Sequence, residues 1–318
     1  MDTAFKTILA ATDGSPTGDR AVAFAAMLAR EHSSALLLFT AVDRAAAIAA
    51  CASPYGSFNG EEVVHGLDDA ASIVLERAAR FAADAGVPYS KLQYSGAPAE
   101  AIVASAEQCR ADAIVVGTQG KRGLERFFVG STAAEVLRHS GVPVFVVPPH
   151  LAAEHAPTGR ILVAIDESEQ SQTALRFAVR LAQSGDATLV LCSAVDTRDL
   201  YKKAATYGYD PGPILAELRA KAQAMLDDRG ALADERDVAH ETVVVNGEPA
   251  RAIAGTAAAR DVDAIVIGTH GRHGLQRLLL GSVAEGVVQR ATVPVAVVRG
   301  SGDSRRAHKA SDLAAARG

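Results

Sequence analysis

One glycine pattern occurs twice in this chain with the same internal spacing. Gly117 and Gly120 are followed by nine residues and then Gly130-Ser131; Gly268 and Gly271 are followed by nine residues and then Gly281-Ser282. The first copy comes after Ala113-Ile114-Val115-Val116, an apolar run that reads as a buried strand, and leads into a helical pattern from Ser131. Glycines in such a turn let a backbone come close to a ligand. The first N–H groups of the helix after Gly130 have no intrahelical partner and lie at the positive end of the helix dipole, which suits an anion. Each pattern therefore demands a strand, a glycine-rich turn and a helix start, and reads as a phosphate cradle.

The repeat extends nearly end to end. Gly-Ala-Pro-Ala-Glu-Ala-Ile at 96–102 returns as Gly-Glu-Pro-Ala-Arg-Ala-Ile at 247–253, and Val142-Pro143-Val144 returns as Val293-Pro294-Val295. Asp13 corresponds to Asp166 at an offset of 153 and Gly117 to Gly268 at 151, so the second copy is two residues shorter between them. The reading is two domains, 1–150 and 158–300, joined by a linker through Pro148-Pro149 and Pro157, with a polar tail over 301–318 expected to be disordered. A length of 318 residues and 49% hydrophobic content suffice for two cores.

Alternation of strand and helix is legible within each copy. Thr7-Ile8-Leu9-Ala10-Ala11 reads as a strand, Ser15-Pro16 as a helix cap followed by proline at the first helical position, and Ala35 to Val42 as a fully buried strand. Residues 44–61 show no clear period and are expected to form a long mobile connection, with a helix from about Val63 to Ala85. Then follow a strand at Tyr89 to Tyr94, a helix from Pro98 to Cys109, the strand into the cradle, a helix over Ser131 to His139 and a last strand at Val144 to Val147. Such order predicts an α/β fold with parallel sheets and right-handed crossovers.

A net charge of -5 gives no electrostatic case for nucleic acid, and no apolar run approaches the ~20 residues of a membrane span. The expectation is a cytoplasmic protein. Cys51, Cys109 and Cys192 are isolated, which points to neither a disulfide framework nor a zinc site, and they are expected to be buried small apolar residues.

With these motifs in hand, the chain resembles the universal stress protein family in a tandem form. The resemblance implies Rossmann-like open parallel five-stranded sheets in the order 3-2-1-4-5, flanked by helices, with ATP at the carboxyl ends of strands one and four. It further implies that the two halves pack as an internal pseudo-dimer through Val144 to Val147 and Val295 to Val298, with homodimers and an unnamed protein partner left open. Carried over by position, the nucleotide would meet Thr12, Asp13, Ala41, Gly117, Gly120, Gly130, Ser131 and Thr132 in the first half, where the charges of Lys121 and Arg122 would suit its phosphates. In the second half it would meet Ile165, Asp166, Ala194, Gly268, Gly271, Gly281, Ser282 and Val283, with the charge of Arg272 suited to the phosphates. Mg2+, where present, would be held by the phosphates. Ile165 and Val283 depart from Thr12 and Thr132, so the second site lacks two hydroxyls and is expected to bind more weakly.

Each signal has a plainer structural reading. Asp13 and Asp166 could be helix caps, although Ser15 already supplies one for the first helix. Lys121, Arg122 and Arg272 suit phosphates but could equally be a solvated loop face. His270 aligns with Gln119, which excludes a shared catalytic histidine, and no P-loop, dinucleotide fingerprint or general base is evident. The leading reading is an ATP-binding regulatory or sensing protein of the stress response with at most slow hydrolysis. The alternatives are an ATP-dependent phosphotransferase and an interaction protein with vestigial nucleotide sites.

Overall fold

The computed structural model describes residues 5–51, 60–118, 129–151, 159–269 and 280–299. They divide into two compact units, one within Phe5–Glu154 and the other from His155 onward. The 301–318 tail and most of the 148–157 linker lie outside the described residues, as does the greater part of each glycine loop.

The first unit runs β1 (Thr7–Ala11), α1 (Pro16–Glu31), β2 (Ala35–Val42), α2 (Arg44–Cys51), α3 (Gly60–Asp84), β3 (Tyr89–Ser95), α4 (Pro98–Gln108), β4 (Ala113–Gly117), α5 (Ser131–His139) and β5 (Val144–Val147). The second repeats it: β6 (Arg160–Ala164), α6 (Glu169–Gly185), β7 (Thr188–Val195), α7 (Arg198–Tyr207), α8 (Gly212–Asp234), β8 (His240–Asn246), α9 (Pro249–Ala259), β9 (Ala264–Gly268), α10 (Ser282–Arg290) and β10 (Val295–Val298). Strand order is β3-β2-β1-β4-β5 in the first unit and β8-β7-β6-β9-β10 in the second, with parallel pairing in each. The expected order 3-2-1-4-5 is thus found twice.

Hydrophobic runs explain why the central strands sit inside. Ile8, Leu9, Leu36, Leu38, Ile114 and Phe145 are fully buried in the first unit, as are Ile161, Leu162 and Val163 in the second, so successive side chains on both faces of a strand meet a helix layer. At the opposite end from the glycine turns, one carboxylate ties the sheet together in each unit. Asp112 Oδ2 accepts from the N–H groups of Lys6 and Thr7 at 2.6 and 2.9 Å. Asp263 Oδ2 accepts from Gly159 and Arg160, both at 2.8 Å. The sequence carries this signal as an Asp immediately before each Ala-Ile-Val run.

Two expectations are corrected. Residues 44–51 form α2 and not an irregular connection, because alanine has the best helix propensity and Asp43 Oδ1 accepts from the Ala46 N–H at 2.9 Å at the helix start; α3 begins at Gly60. Cys109 is exposed, since it stands at the C-cap of α4 and not on its buried face, whereas Cys192 in β7 is buried. The side chain of Cys51 lies outside what is described.

Candidate functional site

The site begins where β1 and β6 end. In a sheet of this order the strands on either side of β1, and of β6, are entered in opposite directions, and a crevice opens beyond their carboxyl ends. Ala10 is level with Val115 and Ala11 with Phe39, and the Thr12 N–H still donates to the Phe39 carbonyl at 2.9 Å. Val163 is level with Val266, and Ile165 N–H donates to Cys192 O at 2.8 Å. Backbone registry therefore fixes where residues 12–13 and 165–166 stand.

Past that point the acidic residues fold into turns. Asp13 Oδ1 accepts from Ser15 N–H at 2.9 Å, and Ser15 is the N-cap of α1, accepting from Gly18 N–H at 3.1 Å, with Pro16 in the first turn. Asp166 Oδ1 likewise accepts from Ser168 N–H at 3.0 Å and from the Ser168 hydroxyl, and Ser168 caps α6. The aspartates are thus not the caps; they brace the residues that are.

Gly117 and Gly268 close the strands that feed the glycine loops, and their lack of a side chain is used for packing. A Cβ on Gly117 would lie 3.1 Å from the carbonyl oxygen of Thr17, and one on Gly268 would lie 2.9 Å from the backbone carbon of Gln170. Each glycine lets a strand end abut the first turn of α1 or α6. Beyond them, Gly130 N–H donates to Thr118 O at 2.6 Å and Gly281 N–H to Thr269 O at 2.8 Å, which clips each loop shut at its base. Gly130 and Gly281 occupy the N-cap positions of α5 and α10, with no side-chain cap. The N–H groups of Ser131, Thr132 and Ala133, and of Ser282, Val283 and Ala284, accordingly donate no hydrogen bond among the described residues. Gly120, Lys121, Arg122, Gly271 and Arg272 lie outside the described residues.

In the second unit these pieces border a cleft of about 880 Å³, within the range typical of small-molecule sites. Its lining brings together Ile165, Asp166, Ala194, Gly268, Gly281, Ser282 and Val283, all seven of the described residues predicted there. It also includes groups that the sequence reading does not single out. Lys221 pairs with Glu167 at 3.2 Å, and Arg198 holds Asp196 through contacts of 2.6 to 3.2 Å. Those hydrogen bonds keep the Asp196 carboxyl below its ordinary pKa. Glu248 uses both oxygens to cap α9, at 3.2 and 2.9 Å from the N–H groups of Ala250 and Arg251. Their signal is positional: each sits just after β7 or β8, or on the α8 face that looks over them.

The two sites place one hydroxyl differently. Thr12 Oγ1 accepts from Gly14 N–H at 3.1 Å and is buried, so it is engaged inside its own turn. Ile165 takes its place in the second unit, but there Ser171 stands where Gly18 stands in the first, and Ser171 lines the cleft while donating to Asp166 O at 2.8 Å.

The model of the universal stress protein family matches residues 4–148 and again residues 157–299. The chain belongs to the universal stress protein family. It is 33% identical over 197 residues to the universal stress protein Rv2005c of Mycobacterium tuberculosis; the match takes in 60% of this chain and spans 63% of the length of that relative. It is 29% identical over 300 residues to a universal stress protein of Mycolicibacterium smegmatis, covering 92% of this chain and 96% of the other. A universal stress protein from Archaeoglobus fulgidus superposes with a TM-score of 0.66 at 19% identity, covering 94% of this chain and 99% of that one, a likeness of fold. This universal stress protein is a tandem one, with a family match in each half. Among its described residues no helix is long and apolar enough to cross a membrane.

Proposed function

We propose that this universal stress protein binds ATP in both halves and acts as a regulatory or sensing module. One observation carries the reading. The start of α10 presents unpartnered backbone N–H groups to a cleft whose wall also holds Asp166 and the strand residue Ala194. Such a helix start suits a phosphate, and the duplicated start of α5 has the same Gly-Ser sequence and the same clip to the preceding threonine. The apolar lining of Ile165, Val195, Met225 and Ile253 suits a base, and the Asp166 carboxylate suits ribose hydroxyls. Mg2+ would be carried by the phosphates.

Binding rather than rapid turnover is favoured by the state of the carboxylates in the cleft. Asp166 braces a turn, Glu167 pairs with Lys221, Asp196 with Arg198, and Glu248 caps a helix. Each is committed to a protein donor. Protein purified without added nucleotide and then denatured should release an adenine nucleotide detectable by mass spectrometry, and calorimetry on the stripped protein should return ATP binding. A stripped protein that fails to bind ATP, ADP or AMP would contradict the proposal.

A further inference from the structure

Thr118 and Thr269 follow the strand-ending glycines, and the backbone of each is fully employed. Their N–H groups donate to Val147 O and Val298 O, both at 3.0 Å, and their carbonyls accept from Gly130 and Gly281 at 2.6 and 2.8 Å. Their hydroxyls find no partner among the described residues. Yet Thr118 is only 7% exposed and Thr269 2%.

A buried hydroxyl without a partner is costly, and valine has nearly the same shape without that cost. Both halves nonetheless place threonine here, between the glycine that abuts α1 or α6 and the loop that leads to α5 or α10. In the second unit Thr269 lines the same cleft as Gly281, Ser282 and Val283. Thr269 and the orphaned N–H groups at the start of α10 thus line one cleft. We infer that the Thr118 and Thr269 hydroxyls are ligand donors, each completing the cradle by donating a hydrogen bond to an oxygen of the phosphate held at the start of α5 or α10. A neutral hydroxyl suits this place because it keeps its proton at any physiological pH and offers an anion a donor without bringing in a charge.

The inference rests on the phosphate reading of the cradle, and the experiment separates the two. Full-length protein carrying Thr118→Val with Thr269→Val is compared with the Thr118→Ser, Thr269→Ser pair and with wild type, by ATP calorimetry and by melting without nucleotide. A hydrogen bond to a charged group is worth enough that its loss weakens binding by about tenfold or more. The expected result is that loss for the valine pair, affinity near wild type for the serine pair, and a nucleotide-free melting temperature for the valine pair equal to or above wild type. Wild-type ATP affinity in the valine pair, while Gly130→Val with Gly281→Val abolishes binding, would overturn this inference and leave the phosphate reading intact. A valine pair that melts lower than wild type, or fails to fold, would show that the hydroxyls serve the protein itself and would likewise overturn it. Absence of ATP binding by the wild type would overturn both.

Discussion

Thr12 Oγ1 lies 2.6 Å from where a Cβ on Gly18 would stand. The hydroxyl and the missing side chain are complementary: one fills the space that the other leaves, beside Asp13 Oδ1 at 3.0 Å from the same point. In the second unit the pair is inverted to Ile165 and Ser171. Gly18→Ala is therefore expected to destabilise the first unit by about 1–3 kcal/mol through overpacking, and Thr12→Ile with Gly18→Ser is expected to recover most of that loss. Chemical denaturation of the variants measures it; an unchanged midpoint for Gly18→Ala would contradict the complementarity.

Gly117→Ala and Gly268→Ala should each lower stability by about 1–3 kcal/mol, because the new Cβ meets backbone atoms of Thr17 or Gln170 that cannot swing aside. Denaturation midpoints measured without nucleotide check this. Variants that keep wild-type stability and lose only ATP binding would assign these glycines to the ligand instead.

The aspartate clamps at the other end of the strands make a separate prediction. Asp112→Ala or Asp263→Ala leaves two strand-start N–H groups without their charged acceptor, a loss of about 2 kcal/mol. Since the clamps lie at the opposite end from the glycine turns, nucleotide affinity of the folded variants should stay near wild type. Calorimetry beside denaturation checks both halves of that statement, and a clamp variant that keeps its fold but loses ATP would break it.

His32 makes the first unit sensitive to acid. It is 1% exposed at the end of α1, its ring packs edge-on to Phe5 at 5.1 Å, neither ring nitrogen has a hydrogen-bond partner among the described residues, and burial lowers its pKa to about 4. Because the folded state holds this proton less tightly than the unfolded chain, the stabilisation is complete above the reference value near 6.5 and is lost as pH falls toward 4. The loss over that window is about 3 kcal/mol. Gly185 occupies the corresponding position of the second unit, so the first unit should melt earlier at pH 5 than at pH 7 while the second responds less. His32→Phe should flatten the dependence; an equally steep profile in that variant would contradict the assignment.

The fold is largely legible in the sequence because the glycine pattern and the strand runs are local signals repeated at one spacing. Val115, Val266 and their neighbours are apolar on both faces, which is how a central parallel strand must read, and Ser15-Pro16 marks the start of α1 where the helix begins. Asp13, Asp166, Gly117 and Gly268 stand out as positions, but their local work does not. Gly117 has no room for a side chain because of Thr17, a residue far away in sequence that the fold sets against the end of β4. Alanine-rich α2 escapes a reading by periodicity because alanine carries helix propensity without marking a face. Lys221, Arg198 and Glu248 enter the cleft from α8 and from the ends of β7 and β8, and only the folded chain brings those elements to the same place.

The helix starts at Gly130-Ser131 and Gly281-Ser282 are the proposed seats of the ATP phosphates. Calorimetric titration of ATP into stripped wild type, Gly130→Val, Gly281→Val and the double variant tests this most directly, with circular dichroism as a check on folding. Two sites are expected in the wild type, one in each single variant and none in the folded double variant. Wild-type stoichiometry and affinity in the folded double variant would contradict it.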